Sequence, residues 1–266
     1  MNRMDREQQH QEDLQRIRGF RLIDDDFLNA CFDDNIECTE LILRIILGKP
    51  DIVVKRVKTQ KVMKNLLGRD IWLDIDATDS KDNELNIEVQ RADKGAGRKR
   101  ARYHSSILDA HLLKSGEDFD ALPETYVIFL TEHDVIGGNK PIYRVERHIE
   151  ETGELFSDGE HIIYVNGEDK NSATELGRLM HDFFCIEPDD MHYKELADRT
   201  RYFKKDEKGV ATLCKVLEDM RNQSVWEAKV ESVHRWLAMN MTYEQIAQGE
   251  GLTVEQVKEI ASQKSA

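Results

Sequence analysis

Two short segments of alternating polarity hold the residues best suited to chemistry. In Ile71-Trp72-Leu73-Asp74-Ile75-Asp76-Ala77, the residues Ile71, Leu73, Ile75 and Ala77 fall on one face and Asp74 and Asp76 on the other. In Leu85-Asn86-Ile87-Glu88-Val89-Gln90, the apolar Leu85, Ile87 and Val89 oppose Glu88 and Gln90. A period of two is that of a half-buried β-strand, and the polar run Asp79-Ser80-Lys81-Asp82-Asn83 between them has turn chemistry. A hairpin centred on Lys81 sets Asp74 opposite Glu88, with Cβ atoms roughly 5 Å apart, where like charges destabilise a sheet. A divalent cation between the two carboxylates would remove that penalty. The plainer alternative is an acidic, solvated sheet face, and Asp76 replaces Asp74 as ligand if the register shifts.

The surrounding segments supply the frame. Residues 1–19 are charged and glutamine-rich and read as a polar arm or exposed helix. From Asp26 to Leu47 apolar residues recur at helical spacing up to Gly48 and Pro50, which are stop signals. Glu37, Glu40 and Arg44 form the polar stripe of that helix, while Leu41, Ile42, Ile45 and Ile46 face a core. Ile52–Val57 reads as a strand leading to the hairpin. Asp93-Lys94-Gly95-Ala96-Gly97 reads as a flexible loop; its glycines permit a close approach to phosphate, although so short a GxG is more often a plain turn. A helix over about Arg98–Leu113 carries Ala101, His104, Leu108 and Leu112 on one face and Arg98, Arg102, Ser105 and Asp109 on the other. The continuous apolar run Tyr126–Leu130 suits a central strand covered on both sides. Further strands are expected at Ile142–Arg147 and His161–Val165. The order describes an α/β domain with a mixed sheet over residues 20–168. A polar helical extension follows over 169–236, then a tail over 237–266 in which Thr242-Tyr243-Glu244-Gln245 and Thr253-Val254-Glu255-Gln256 each match a capping box. That tail has a helix-turn-helix outline. Its second helix carries Glu255 and Glu259, so packing or homo-oligomer formation suits it better than reading a DNA groove.

The composition is 39% hydrophobic and 34% charged with a formal charge of −14, which argues against coating nucleic acid by bulk electrostatics. Two local segments are nevertheless basic, Arg44–Arg69 and Arg91–Arg102, and they flank the carboxylate hairpin. Cys31, Cys38, Cys185 and Cys214 show no CxxC spacing and read as buried, reduced thiols. The longest apolar stretch, Leu41–Leu47, is interrupted by Arg44 and too short to span a membrane. With no apolar leader core near the start, a cytoplasmic location is expected. There is no G-x-S-x-G, HExxH or P-loop pattern, and His104 and His111 read as partly buried helix residues.

Glu40 on a helix, Asp74 on a strand and Glu88-Val89-Gln90 on the next strand resemble the PD-(D/E)XK nuclease superfamily. More narrowly, the chain is similar to the bacterial family of recombination-promoting nucleases and transposases. The likeness also draws on Leu67-Gly68-Arg69-Asp70-Ile71-Trp72-Leu73-Asp74, on Arg100-Ala101-Arg102-Tyr103-His104-Ser105 and on the Ile246-Ala247 tail. The spacing of fourteen residues between Asp74 and Glu88 falls in the usual range of that family. One departure is Gln90, where most of the superfamily carries lysine; glutamine is typical of the narrower family.

The resemblance implies a restriction-endonuclease-like core and metal-dependent hydrolysis of DNA phosphodiesters in recombination or transposition. Asp74, Glu88 and the Val89 carbonyl would ligate Mg²⁺, with Mn²⁺ as a substitute. Gln90 would position the attacking water or the scissile phosphate, and Glu40 would bind the metal through a water or hold a second one. Arg98, Arg102 and Tyr103 would contact the DNA backbone, with a salt bridge to an acidic neighbour as the other role for Arg102 and packing as the commoner role for a tyrosine at 103. Two alternatives stand beside this: a catalytically silent nuclease-fold module that binds nucleic acid or protein, motivated by the missing lysine, and an RNA nuclease using the same carboxylates.

Overall fold

The computed structural model describes residues 3–65, 68–91 and 93–262, with the side chains of residues 3–6, 93 and 94 outside that description. Leu67 and the side chain of Lys94 therefore lie outside the described residues.

Six strands and nine α-helices are described. The strands β1 (Val54–Met63), β2 (Ile71–Asp79), β3 (Glu84–Gln90), β4 (Thr125–Thr131), β5 (Ile142–Val145) and β6 (Glu160–Asn166) form one sheet of order β1-β2-β3-β4-β6-β5. The first three strands run as antiparallel neighbours, β3–β4 and β4–β6 are parallel, and β5 returns antiparallel on β6. The helices are α1 (Arg3–Gly19), α2 (Asp25–Phe32), α3 (Ile36–Leu47), α4 (Arg98–Leu112), α5 (Glu175–Phe184), α6 (Lys194–Lys205), α7 (Glu207–Ala238), α8 (Tyr243–Glu250) and α9 (Val254–Ser262). This is the α/β architecture with a mixed sheet, flanking helices and a C-terminal helical region that the sequence pattern describes.

The β2–β3 hairpin adopts the register centred on Lys81, with Ile75 facing Ile87 and Ala77 facing Leu85. Its turn is fixed by Asp79, whose Oδ1 accepts from the backbone N–H of Lys81 (2.8 Å) and Asn83 (3.0 Å). β3 is not half-solvated: Glu84 to Val89 are all buried. It lies between β2 and β4, and α4 forms the crossover that a parallel β3–β4 pair requires.

The helical run from Asp26 to Leu47 divides into two helices. Asp34 takes a left-handed conformation (φ +51°) and the Asn35 side chain accepts from Cys38 N–H at 3.2 Å, ending α2 and starting α3. Residues 93–96 form a 3₁₀ turn rather than an open loop. Cys31 and Cys38 are buried, Cys185 and Cys214 are partly exposed, and all four are free thiols.

Leu14–Val210 form one compact unit, and Met1–Asp13 with Ala211–Ala266 form another. α5 and α6 thus belong to the same compact unit as the sheet. The reason is the apolar face of α5 and α6: Phe183 stacks on Phe32 at 6.2 Å, and Phe203 meets Phe27 edge-on at 6.3 Å. In the other unit, Asp13 on α1 is buried and accepts two bonds from Arg221 on α7 (2.6 and 2.9 Å), so the expected polar arm is anchored there. Val233, Ile246, Ala247, Val257 and Ile260 make its small core. Both expected capping boxes form: Thr242 with Gln245, and Thr253 with Gln256. No helix among the described residues is long and apolar enough to cross a membrane.

Candidate metal-binding active site

The register that pairs Ile75 with Ile87 brings Asp74 and Glu88 together one step further along the hairpin. There the side chains take over from the ladder. Val89 N–H donates to Asp74 Oδ2 at 2.8 Å, and Asp74 N–H donates to Glu88 Oε1 at 3.4 Å. Next to Asp74 on β1, Gln60 has φ +53°, so the backbone is irregular on both sides of this carboxylate.

Glu88 is fully buried and Asp74 partly so. Burial pushes the Asp74 carboxyl up to about 6, aided by the nearby Asp25 charge and opposed by the Val89 N–H and Arg100. Burial, then the Asp74 charge, pushes Glu88 up to about 8, with Arg100 opposing. Two adjacent carboxyls that resist ionisation mark a site wanting positive charge.

Part of that charge comes from α4. Arg100 Nη2 lies 3.3 Å from Glu88 Oε2, and its Nε donates to His104 Nε2 at 3.2 Å. His104 is buried, and burial together with Arg100 and Arg69 holds its pKa down at about 4, so the ring is neutral at pH 7. With Nε2 accepting, the ring proton sits on Nδ1, 3.8 Å from Glu88 Oε1. His111, by contrast, is exposed.

On the other side, Asp74 opens into a cavity of about 470 Å³ lined by Asp25, Val89, Gln90, Arg91 and Glu132. Arg91 is tied to Asp24 (3.0 Å) and Glu132 (3.4 Å). The Gln90 amide lies over Gly95: a Cβ on residue 95 would lie 1.8 Å from Gln90 Oε1, so a side chain there would displace the amide from its present position.

Glu40 does not join this group. Its carboxylate pairs with Arg44 and accepts from Val54 N–H at 3.2 Å. Val54 faces Asp79, five residues along β2 from Asp74, roughly 17 Å at strand spacing. Asp25, on α2, is the helical carboxylate that reaches the cavity instead. The signal for it was the run Asp24-Asp25-Asp26, which is easily read as acidic residues suited to a helix N-terminus. Asp76 is neutralised by Arg56 (2.9 Å) and Lys61 (2.7 Å) and is fully buried, so it does not compete with Asp74.

Of the expected substrate contacts, Arg102 and Tyr103 line a second, larger cavity beside His104. The Tyr103 hydroxyl is already used, donating to the Arg69 carbonyl (2.5 Å) and accepting from Asn65 Nδ2 (3.0 Å). Arg98 is exposed and lines neither cavity. Several cations of the first basic segment are spent within the chain, Lys55 on Asp82 and Lys58 on Asp34 among them. Arg100 is the cation that meets Glu88.

Among the described residues, His181, Asp182 and His192 also place ligand atoms within 4.8 Å of one another. Asp182 accepts from the N–H groups of His192 (2.8 Å) and Tyr193 (2.8 Å), so this buried carboxylate fastens the turn before α6.

The sheet, the paired carboxylates at the end of a β-hairpin and the following helix define a nuclease fold of the PD-(D/E)XK kind. Residues 25–185 match the family model described as PD-(D/E)XK nuclease family transposase, and the chain belongs to that family. No curated protein and no solved structure matches it.

Proposed function

We propose that this protein is a metal-dependent DNA endonuclease that hydrolyses phosphodiester bonds during recombination or transposition. The observation that carries the reading is the buried Asp74–Glu88 pair, two carboxylates whose shared repulsion a cation would relieve. The donor set suits a hard divalent ion such as Mg²⁺ or Mn²⁺: carboxylate oxygens of Asp74 and Glu88, the Val89 carbonyl, and Asp25 across the cavity. Bound there, the metal supplies an acidified water and charge to offset the phosphate.

The remaining work falls to side chains. Gln90 has an amide that can accept from a water and donate to a phosphate oxygen, and Gly95 leaves room for its present position. It brings no charge, so Arg100 takes the place the usual lysine would fill in stabilising charge that develops on the phosphate. His104, neutral and bonded to Arg100, orients that guanidinium. Asp24 and Glu132 hold Arg91 at the rim.

The test is nicking of supercoiled plasmid by purified protein in Mg²⁺, in Mn²⁺ and in EDTA, alongside Asp74→Ala and Glu88→Ala. Metal-dependent nicking lost in both variants is expected. Wild type as inert as the variants in both metals would leave a nuclease fold used only for binding. Equal or faster cleavage of RNA would move the substrate from DNA to RNA.

A further inference from the structure

Trp72 lies two residues before Asp74 on β2 and is 57% exposed. An indole this open on a strand, so close to a candidate active site, is available to a ligand. It lines a cavity of about 1440 Å³ together with Lys64, Arg69, Lys99, Arg100 and Arg102. Lys64 reaches Asp70 at 3.7 Å and Arg100 reaches Glu88 at 3.3 Å, while the other three cations form no ion pair among the described residues. In a chain with a net charge of −14, that is a concentrated exception.

The cavity is tied to the carboxylates through α4. Its wall includes His104, the same ring that bonds Arg100 and faces Glu88. The loop carrying Arg69 is fastened by the Tyr103 hydroxyl on the Arg69 carbonyl. Cations and indole are thus presented together, next to where a phosphate would be cut.

A ligand that satisfies both features has repeated negative charge and a flat apolar face. A nucleic-acid strand has both, but within a duplex the faces of the bases are covered by their neighbours. An unpaired base can stack on an aromatic side chain without unstacking a duplex, while its phosphates lie against basic groups. We propose that Trp72 is a stacking platform for an unpaired base of the DNA substrate. The preferred substrate is then single-stranded DNA, or a junction where one strand leaves the duplex, rather than an intact duplex. This rests on the nuclease reading above and narrows its substrate.

The experiment uses the full chain in EDTA, so that cleavage does not intervene. A labelled deoxyoligonucleotide is titrated by fluorescence anisotropy as a single strand, as a blunt duplex and as a duplex with a single-stranded flap. Tryptophan emission is followed in parallel for wild type, Trp72→Phe and Trp72→Ala, with melting curves to show that each variant is folded. The single strand and the flap are expected to bind more tightly than the duplex. Trp72→Ala should weaken both by about tenfold, the size of one lost base stack, with little change for the duplex. Trp72→Phe should keep most of the affinity while the quenching of emission seen with wild type disappears.

Equal weakening for duplex and single strand, or quenching that persists in Trp72→Phe, would overturn the stacking platform while leaving the nuclease reading in place. The two ideas fail separately: absence of plasmid nicking with intact single-strand quenching removes the enzyme and keeps the platform. Absence of any DNA binding removes the platform.

Discussion

Asp74 and Glu88 are held where ionisation is costly, and this gives the metal-free protein a definite pH dependence. Unfolding returns the two carboxyls from about 6 and about 8 to ordinary values of 3.8 and 4.5. Between those limits the folded chain keeps protons that the unfolded chain has released, so stability falls as pH rises through the window. Thermal melts in EDTA should therefore show a melting temperature that declines from pH 5 towards pH 8. Mg²⁺ should raise it more at pH 8 than at pH 5, because the cation relieves a repulsion that protonation has already removed at the lower pH. A Mg²⁺ effect of equal size at both values would detach metal binding from this pair.

The same scale separates the helical carboxylates. Asp25→Asn removes a carboxylate from the cavity beside Asp74 and should slow nicking by about tenfold or more. Glu40→Gln should leave the nicking rate within about twofold and cost about 0.5 kcal/mol in stability, the worth of an exposed ion pair with Arg44 one helical turn away. The reverse pattern would return Glu40 to the site. Trp72 and Arg100 complete the residue picture, since both lie beside the carboxylates and neither stands out as catalytic by type alone.

At the level of elements, the hairpin and α4 act as one device. The turn at Asp79 sets the register, the register sets Asp74 against Glu88, and the 3₁₀ turn over residues 93–96 leads into α4 with Arg100 and His104 facing Glu88. Gly95 is the point where this device is tightest. Gly95→Ala puts a methyl where the Gln90 amide now sits, 1.8 Å from its Oε1. The variant should lose nicking about as far as Gln90→Ala does, while a melting curve shows it still folded. Retained activity would mean that the position of Gln90 is unimportant to the reaction. In the other unit, Thr242→Ala removes a capping box and should cost about 1 kcal/mol in stability, with no direct effect on the carboxylate pair.

Across the whole molecule, acidity and DNA binding are reconciled by locality. Most cations of the first basic segment are used on the chain's own carboxylates, leaving Arg69, Lys99 and Arg102 around Trp72 as the cations without an ion pair among the described residues. Binding should therefore depend on salt modestly: with about three phosphate contacts, log K should fall with log[salt] at a slope of about −2 for a single strand. A slope near zero would exclude this patch as the strand's path.

The sequence by itself determined the hairpin, its register, the buried strand β4, the tail helices with their caps, and through Asp74, Glu88 and Gln90 the chemistry proposed for the site. These are all properties of short range. Alternation, turn residues and capping boxes act over a few positions, and Lys81 at the turn dictates the partner of Asp74 fourteen residues from Glu88. Only the tertiary structure decided which helix faces the site. Glu40 and Asp25 are both carboxylates on neighbouring helices, but with the chain broken at Asp34–Asn35, Asp25 lines the cavity beside Asp74 and Glu40 bonds Val54 at the far end of β2. Likewise, alternation in β3 suggested one wet face, whereas packing between β2 and β4 buries Glu88 outright. Periodicity records how a segment could be amphipathic; it does not record what the rest of the chain lays against each face.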